Sequence, residues 1–365
     1  MSENITSESR PQPSWLEQLE ARLSCQWPAL HKARTASAAR YLRLQELFAD
    51  LKSGDSSLVV FGSVARQEVT GGSDLDWLLL IDGQSMPEHK AQETRITNAL
   101  VDAAFIEPGR SGIFGTIAGS HDLIHNIGGA DDSNANTTRR VLLLLESIAI
   151  GNPAACTRVR KQVLRRYLED DRGLLYASSD ARLPRFLLND LTRYWRTITV
   201  DFVYKQRSDK DSKWALRNAK LRMSRKLLYA TGLMHCFFCQ LDPEAEDARR
   251  SLLPPSSEIA PLGVYLERQL ALPPLDVLAK ACVLLQVREE TSHAIFGSYD
   301  RFLAILDAPD KRAELARASS HEDLRSSSAW AEVRAVSTPF HEGLVALFLR
   351  DNAALAELTM KYGIF

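Results

Sequence analysis

Apolar runs four or five residues long, closed by turn signals, stand in the first quarter of this chain. Leu58-Val59-Val60-Phe61 stops at Gly62-Ser63, and Leu78-Leu79-Leu80-Ile81 stops at Asp82-Gly83. Continuous runs of this length suit strands covered on both faces. Between them, the spacing predicts a short helix over Ser63–Glu68, broken by Gly71-Gly72-Ser73. Upstream, Leu16, Leu19 and Leu23 share one helical face. Tyr41, Leu42, Leu44, Leu47 and Phe48 form a second stripe, with Pro28 dividing the two. The second of these helices is expected to pack on the sheet. Pro87–Phe105 reads as an amphipathic helix, and the glycine-rich stretch from Pro108 to Gly119 as a third strand. Thr138–Ser147 reads as a helix ending near Gly151. From Pro153 onward every periodic segment is helical: Arg158–Leu168, Leu183–Arg207, Ser212–Cys239, Ser257–Leu270, Val277–Arg288, Arg301–Leu306 and about Pro339–Tyr362.

The pattern predicts an α+β protein: a small mixed sheet with helices, then an all-helical domain. Residues 1–14 are expected to be a disordered lead, 15–152 the sheet-containing domain with its N-terminal helices, and 153–365 the helical domain. At 365 residues the chain is long enough for two domains. A hydrophobic content of 45% with 25% charged residues is ordinary for a globular protein, and no run approaches a membrane span. Five scattered cysteines suggest reduced thiols and a cytoplasmic location. Cys236-Phe237-Phe238-Cys239 lacks a second ligand pair for zinc and sits late in an apolar helix, so it reads as core.

Charge changes the picture. The net charge is −1, yet Cys156–Lys226 holds 19 Lys/Arg against 8 Asp/Glu. A basic segment in an otherwise acidic chain implies an anionic partner or a set of solvated helix faces. Asp74 and Asp76 stand two apart on an extended segment, so both carboxylates project to one side. Such a pair calls for a hard divalent cation, which takes one or two carboxylates plus phosphate oxygens. Gly62 lets a ligand approach the backbone, and Ser63 offers a hydroxyl and an N–H at the predicted helix start.

Gly62-Ser63, a ten-residue spacer and Asp74-Leu75-Asp76 between apolar strands resemble the signature of the polymerase-β-like nucleotidyltransferase superfamily. Ala65-Arg66-Gln67-Glu68 and Ser73-Asp74-Leu75-Asp76 are most similar to the branch holding PII uridylyltransferases and glutamine-synthetase adenylyltransferases. The resemblance is specific over Leu58–Asp82 and weaker over Ser111–Gly151. It implies transfer of a nucleoside monophosphate from an NTP such as ATP, with two Mg²⁺ ions (or Mn²⁺) on Asp74 and Asp76. It also implies a third carboxylate on or after a later strand. Asp122 is the choice, with Asp131 and Asp132 as the other acids nearby. Gly62, Ser63, Arg66, Ser73, Arg217 and Lys220 are the expected nucleotide-binding residues, the last two from the helical half. The acceptor is expected to be a protein, with a nucleic-acid end or second nucleotide as the alternative. A non-catalytic nucleotide-binding module is a further alternative. Arg139 and Arg140 stand near a helix start, against the dipole preference, so a carboxylate or other anion should offset them.

Overall fold

The computed structural model describes residues 12–109, 112–171, 174, 183–208, 213–250 and 261–364. The expected lead over residues 1–14 therefore falls mostly outside the described residues. Two helices come first, α1 (Trp15–Leu23) and α2 (Pro28–Leu47), separated at Pro28. Ser14 caps α1 through a reciprocal bond with Glu17, which satisfies backbone donors that the first turn leaves open.

The sheet has four strands in the order β3-β2-β1-β4: β1 (Ser56–Phe61), β2 (Trp77–Ile81), β3 (Thr116–Gly119) and β4 (Ser147–Ile150). β1 runs antiparallel to both its neighbours, with Val60 opposite Trp77 and Phe61 opposite Ser147. β2 and β3 are parallel, joined through α3 (Pro87–Asp102). Every residue of β1 and β2 is buried. Leu58, Val60 and Leu79 face a cluster with Leu44 of α2, Phe48 just after it, and Ile96 and Leu100 of α3. Val59, Phe61, Leu78 and Leu80 face the helical half. Covering on both faces explains why the strands read as unbroken apolar runs.

α4 (Ser120–His125) and α5 (Asn134–Leu145) lead to β4. Then come α6 (Ala154–Glu169), α7 (Arg185–Ser208), α8 (Trp214–Lys220) and α9 (Lys226–Leu241), followed by α10 (Pro261–Leu270), α11 (Pro274–Leu284) and α12 (Glu289–Asp307). The last described are α13 (Pro309–Arg317) and α14 (Ser328–Leu349), with shorter pieces between and after them. A wider turn at Leu221–Arg225, of π-helical geometry, joins α8 to α9. The apolar cluster on the inner face of the sheet continues into these helices as far as Leu358. α1 packs on α11 rather than on the sheet. There the Leu16 N–H donates to Asp276 Oδ1 at 3.0 Å, and Arg34 pairs with the same carboxylate. The change of element type at residues 152–153 is thus no break in the core.

Three local expectations differ. Ser63–Glu68 is a series of tight turns, not a helix, with positive φ at Gly62 and Gln67. β4 occupies residues that read as the tail of a helix, because its four residues follow four buried leucines without a breaker. Pro339 lies inside α14 rather than at a helix start. Among the described residues no helix is long and apolar enough to cross a membrane, and all five cysteines are unpaired. Cys236 and Cys239 are buried in the core.

The arginine near the start of α5 has its carboxylates. Arg140 is fully buried and donates to Asp132 at 3.0 and 3.1 Å, to Asp190 at 2.7 Å and to the Tyr167 hydroxyl at 2.7 Å. Removing the guanidinium leaves two buried acids to the partly exposed Arg193 alone, which costs more than the pair itself contributes. Arg140→Leu is expected to lower unfolding free energy by about 3–5 kcal/mol, read by urea denaturation. A loss below about 1 kcal/mol would mean that water reaches the acids.

Candidate active site

The site is assembled where β1 ends and β2 begins. The Phe61 N–H donates to the Asp76 carbonyl at 2.9 Å, which holds the two chain segments side by side. Gly62 follows with φ of +70°, and a Cβ there would stand 3.1 Å from Asp76 Oδ2. Both the backbone conformation and the close carboxylate require glycine. The bend closes through Arg66 N–H to Gly62 carbonyl (2.9 Å) and Glu68 N–H to Ser63 carbonyl (2.8 Å). The Ser63 hydroxyl is buried and has no hydrogen-bond partner among the described residues.

Asp74 and Asp76 line one cleft of about 190 Å³ together with Gly62, Ser63 and Ser73. Burial pushes the Asp76 carboxyl up to about 6, and the neighbouring charge of Asp74 adds to this. Burial acts on Asp74 the same way but is outweighed, chiefly by Lys220, so its carboxyl lies below the ordinary range. The pair is therefore short of positive charge, and its donors are hard oxygens. That fits a divalent cation such as Mg²⁺. Among the described residues no group of three or more His, Cys, Asp or Glu is arranged to hold a metal. Further ligands would have to be phosphate oxygens or water.

The helical half supplies the opposite wall. Lys220, at the end of α8, places Nζ 3.6 Å from Asp74 Oδ1, and burial lowers its pKa. Ser224 and Arg225, on the wide turn, line the same cleft. Arg225 donates to Glu146 at 2.9 Å. Glu146 directly precedes β4 and so stands at the dyad's end of the sheet. It also pairs with Arg66, whose Nε meets Glu68 at 2.9 Å. Burial works against the Glu146 charge, but Arg66 and Arg225 hold its pKa below the ordinary value. Arg312, from α13, donates to Thr70 Oγ1 at 3.5 Å and to the Gly72 carbonyl. A Cβ at Gly72 would overlap its guanidinium.

The folded chain brings together Gly62, Ser63, Arg66, Ser73, Asp74, Asp76 and Lys220. Ser73 closes the Thr70–Ser73 turn, accepting from the Thr70 N–H at 3.0 Å. Arg66 is committed to two carboxylates, so it fixes the bend first of all. Arg217 is not among the residues lining the cleft. Asp122 is not brought to the dyad. β2 and β3 run parallel, the dyad precedes β2 and Asp122 follows β3. A strand of this length separates them, roughly 16 Å. Asp122 is exposed and accepts from Asn126 at 3.2 Å. Asp132 is taken by Arg140 and Arg193. The acid that does approach the dyad is Glu146. Its signal was an isolated carboxylate between Leu145 and the Ser147–Ile150 strand. Arg225 and Arg312 had no comparable signal.

Residues 25–107 match the family model described as "Putative nucleotidyltransferase DUF294". The matched span holds α2, β1, the glycine–serine bend, both aspartates, β2 and α3. It supports a nucleotidyltransferase, the class to which the bend and the dyad point. Comparisons with curated proteins and with solved structures give no match.

The raised Asp76 pKa has a definite sign. Folding binds a proton between the ordinary value near 3.8 and about 6, so stability falls as pH rises through that window. Asp76→Asn removes the penalty. It is expected to raise unfolding free energy by on the order of 2 kcal/mol at pH 8 and by nothing near pH 3, measured without metal. Equal effects at both pH values would contradict the burial of this charge. Gly62→Ala is expected to cost about 1–3 kcal/mol of stability, read by thermal denaturation.

Proposed function

We propose that this cleft transfers a nucleoside monophosphate from an NTP to a protein side chain, with Mg²⁺ on Asp74 and Asp76. The observation that carries the reading is the meeting of this dyad with the Gly62-Ser63 bend and with Lys220 and Arg225 in one cleft. An acceptor oxygen bonds to the α-phosphorus and loses its proton. The bond to the bridging oxygen breaks, and its electron pair leaves with pyrophosphate. Bound Mg²⁺ supplies charge neutralisation at the transferring phosphoryl group and orients the attacking and leaving oxygens.

The chain's own residues do the remaining work. The Ser63 hydroxyl and the bend receive the β- and γ-phosphates. Lys220, with Nζ 3.6 Å from Asp74, would meet phosphate oxygens from the opposite wall of the cleft, and Asp74 and Asp76 would hold the cation. Arg66 acts as a positioning residue, held by Glu68 and Glu146. Arg225 and Arg312 add positive potential at the walls.

The protein acceptor rests on the likeness of residues 65–68 and 73–76 to uridylyl- and adenylyltransferases. The 19 basic residues of Cys156–Lys226 favour a nucleic-acid end as the second reading. Unpaired cysteines fit a cytoplasmic location.

The test is incubation with each α-labelled NTP, Mg²⁺ and cell lysate. Label in protease-sensitive bands supports the first reading, and label in nuclease-sensitive material the second. Asp74→Ala and Asp76→Ala should each lower transfer at least 10³-fold (about 4 kcal/mol in the barrier). Transfer at the wild-type rate in either variant would sink the proposal. Lys220→Met should raise the KM for NTP at least tenfold.

A further inference from the structure

A second cavity lies on the outer side of the helical half. Its volume is about 570 Å³, and it is lined by Trp214, Leu324, Trp330 and three arginines, Arg222, Arg325 and Arg334. The two tryptophans meet edge to face with ring centroids 5.4 Å apart. The Arg222 guanidinium stands 5.8 Å from the centre of the Trp330 ring. All three arginines are exposed, and among the described residues none of them forms an ion pair. Among the described residues Arg222 donates to the neutral Asn218 side chain, at 2.7 Å. Among the described residues no carboxylate lines the cavity. Lys226, one turn beyond Arg222, has its pKa lowered by burial and by the Arg222 charge.

We infer that this cavity is a second nucleotide site, separate from the cleft, taking a ligand that joins phosphate to a planar ring. Arginine's fork suits phosphate oxygens, and three forks around one opening suit a polyanion. The tryptophan floor offers apolar surface to a base, and the volume is that of a small-ligand pocket. The same chemistry could come from a free nucleotide or from a nucleotide within a single RNA strand.

The position gives the site a route to the cleft. The wide turn Leu221–Arg225 carries Arg222 into this cavity, and Ser224 and Arg225 into the cleft. A ligand that draws Arg222 outward acts on the segment that sets Arg225 against Glu146. The inference uses the proposed nucleotide chemistry of the cleft only to choose the ligand class.

Equilibrium dialysis of the full chain against each of the four NTPs, with Mg²⁺, counts the sites. Wild type should hold two equivalents of at least one nucleotide. Arg325→Glu/Arg334→Glu should hold one, with at least tenfold weaker binding at the lost site. Asp74→Ala/Asp76→Ala/Lys220→Ala should hold the other. Loss of the cleft equivalent in wild type, with the outer one intact, would count against the proposed activity and leave this inference standing. Binding at the outer site should quench Trp214, so Trp214→Phe should remove that part of the quench. A five-nucleotide RNA that competes more tightly than any NTP assigns the source as nucleic acid; the reverse assigns it as free nucleotide. Unchanged stoichiometry and affinity in Arg325→Glu/Arg334→Glu overturns the inference. Displacement by polyglutamate at the same concentration as by nucleotide also overturns it, because charge alone would then suffice.

Discussion

One buried carboxylate ties the molecule together at the candidate site. Glu146 accepts from Arg66 of the glycine–serine bend and from Arg225 of the helical half. A carboxylate taken out of water is tolerated only when its charge is met on more than one side. Here the two cations come from opposite walls of the cleft, so satisfying one acid also fixes the distance between sheet and helices. Glu68 and Tyr299 surround the same guanidinium and leave it little freedom. The bend beside Asp76 is therefore held from beneath as well as by its own turns.

This arrangement separates two kinds of charge. Glu146 is matched and carries its charge at ordinary pH, whereas Asp76 is only partly matched and holds its proton longer. The contrast is what a binding site requires. Groups that build the frame are satisfied within the chain, and groups that meet a ligand are left wanting one.

The strand pair and the dyad were legible because their constraints are local. Apolar runs, a glycine at a turn and acids two apart all act over a few residues, and each has a periodic or positional signature. Arg217 and Lys220 were chosen together on helical spacing, and only Lys220 lines the cleft, because spacing alone does not say which side of a helix faces the sheet. Asp122 misled because it follows a real strand, and only the parallel pairing of β2 with β3 reveals that it emerges at the far end. Glu146 and β4 were hidden by the leucines that precede them, which extend an apolar run across a change from helix to strand. Arg312 could not be seen at all. Its meeting with Gly72 spans 240 residues, and no local pattern encodes that distance.

That long-range meeting bears on how the protein is made. The loop before the dyad is gripped by the Gly71 N–H to Asp307 bond at 3.0 Å and by Arg312 on the Gly72 carbonyl. Both clamps stand more than 230 residues beyond the loop that they grip, so they leave the ribosome long after it. While they are still missing, a nascent chain carries every residue of the acidic pair yet lacks the hold on the loop that presents it. A fragment cut after the sheet would thus inherit the motif without the grip.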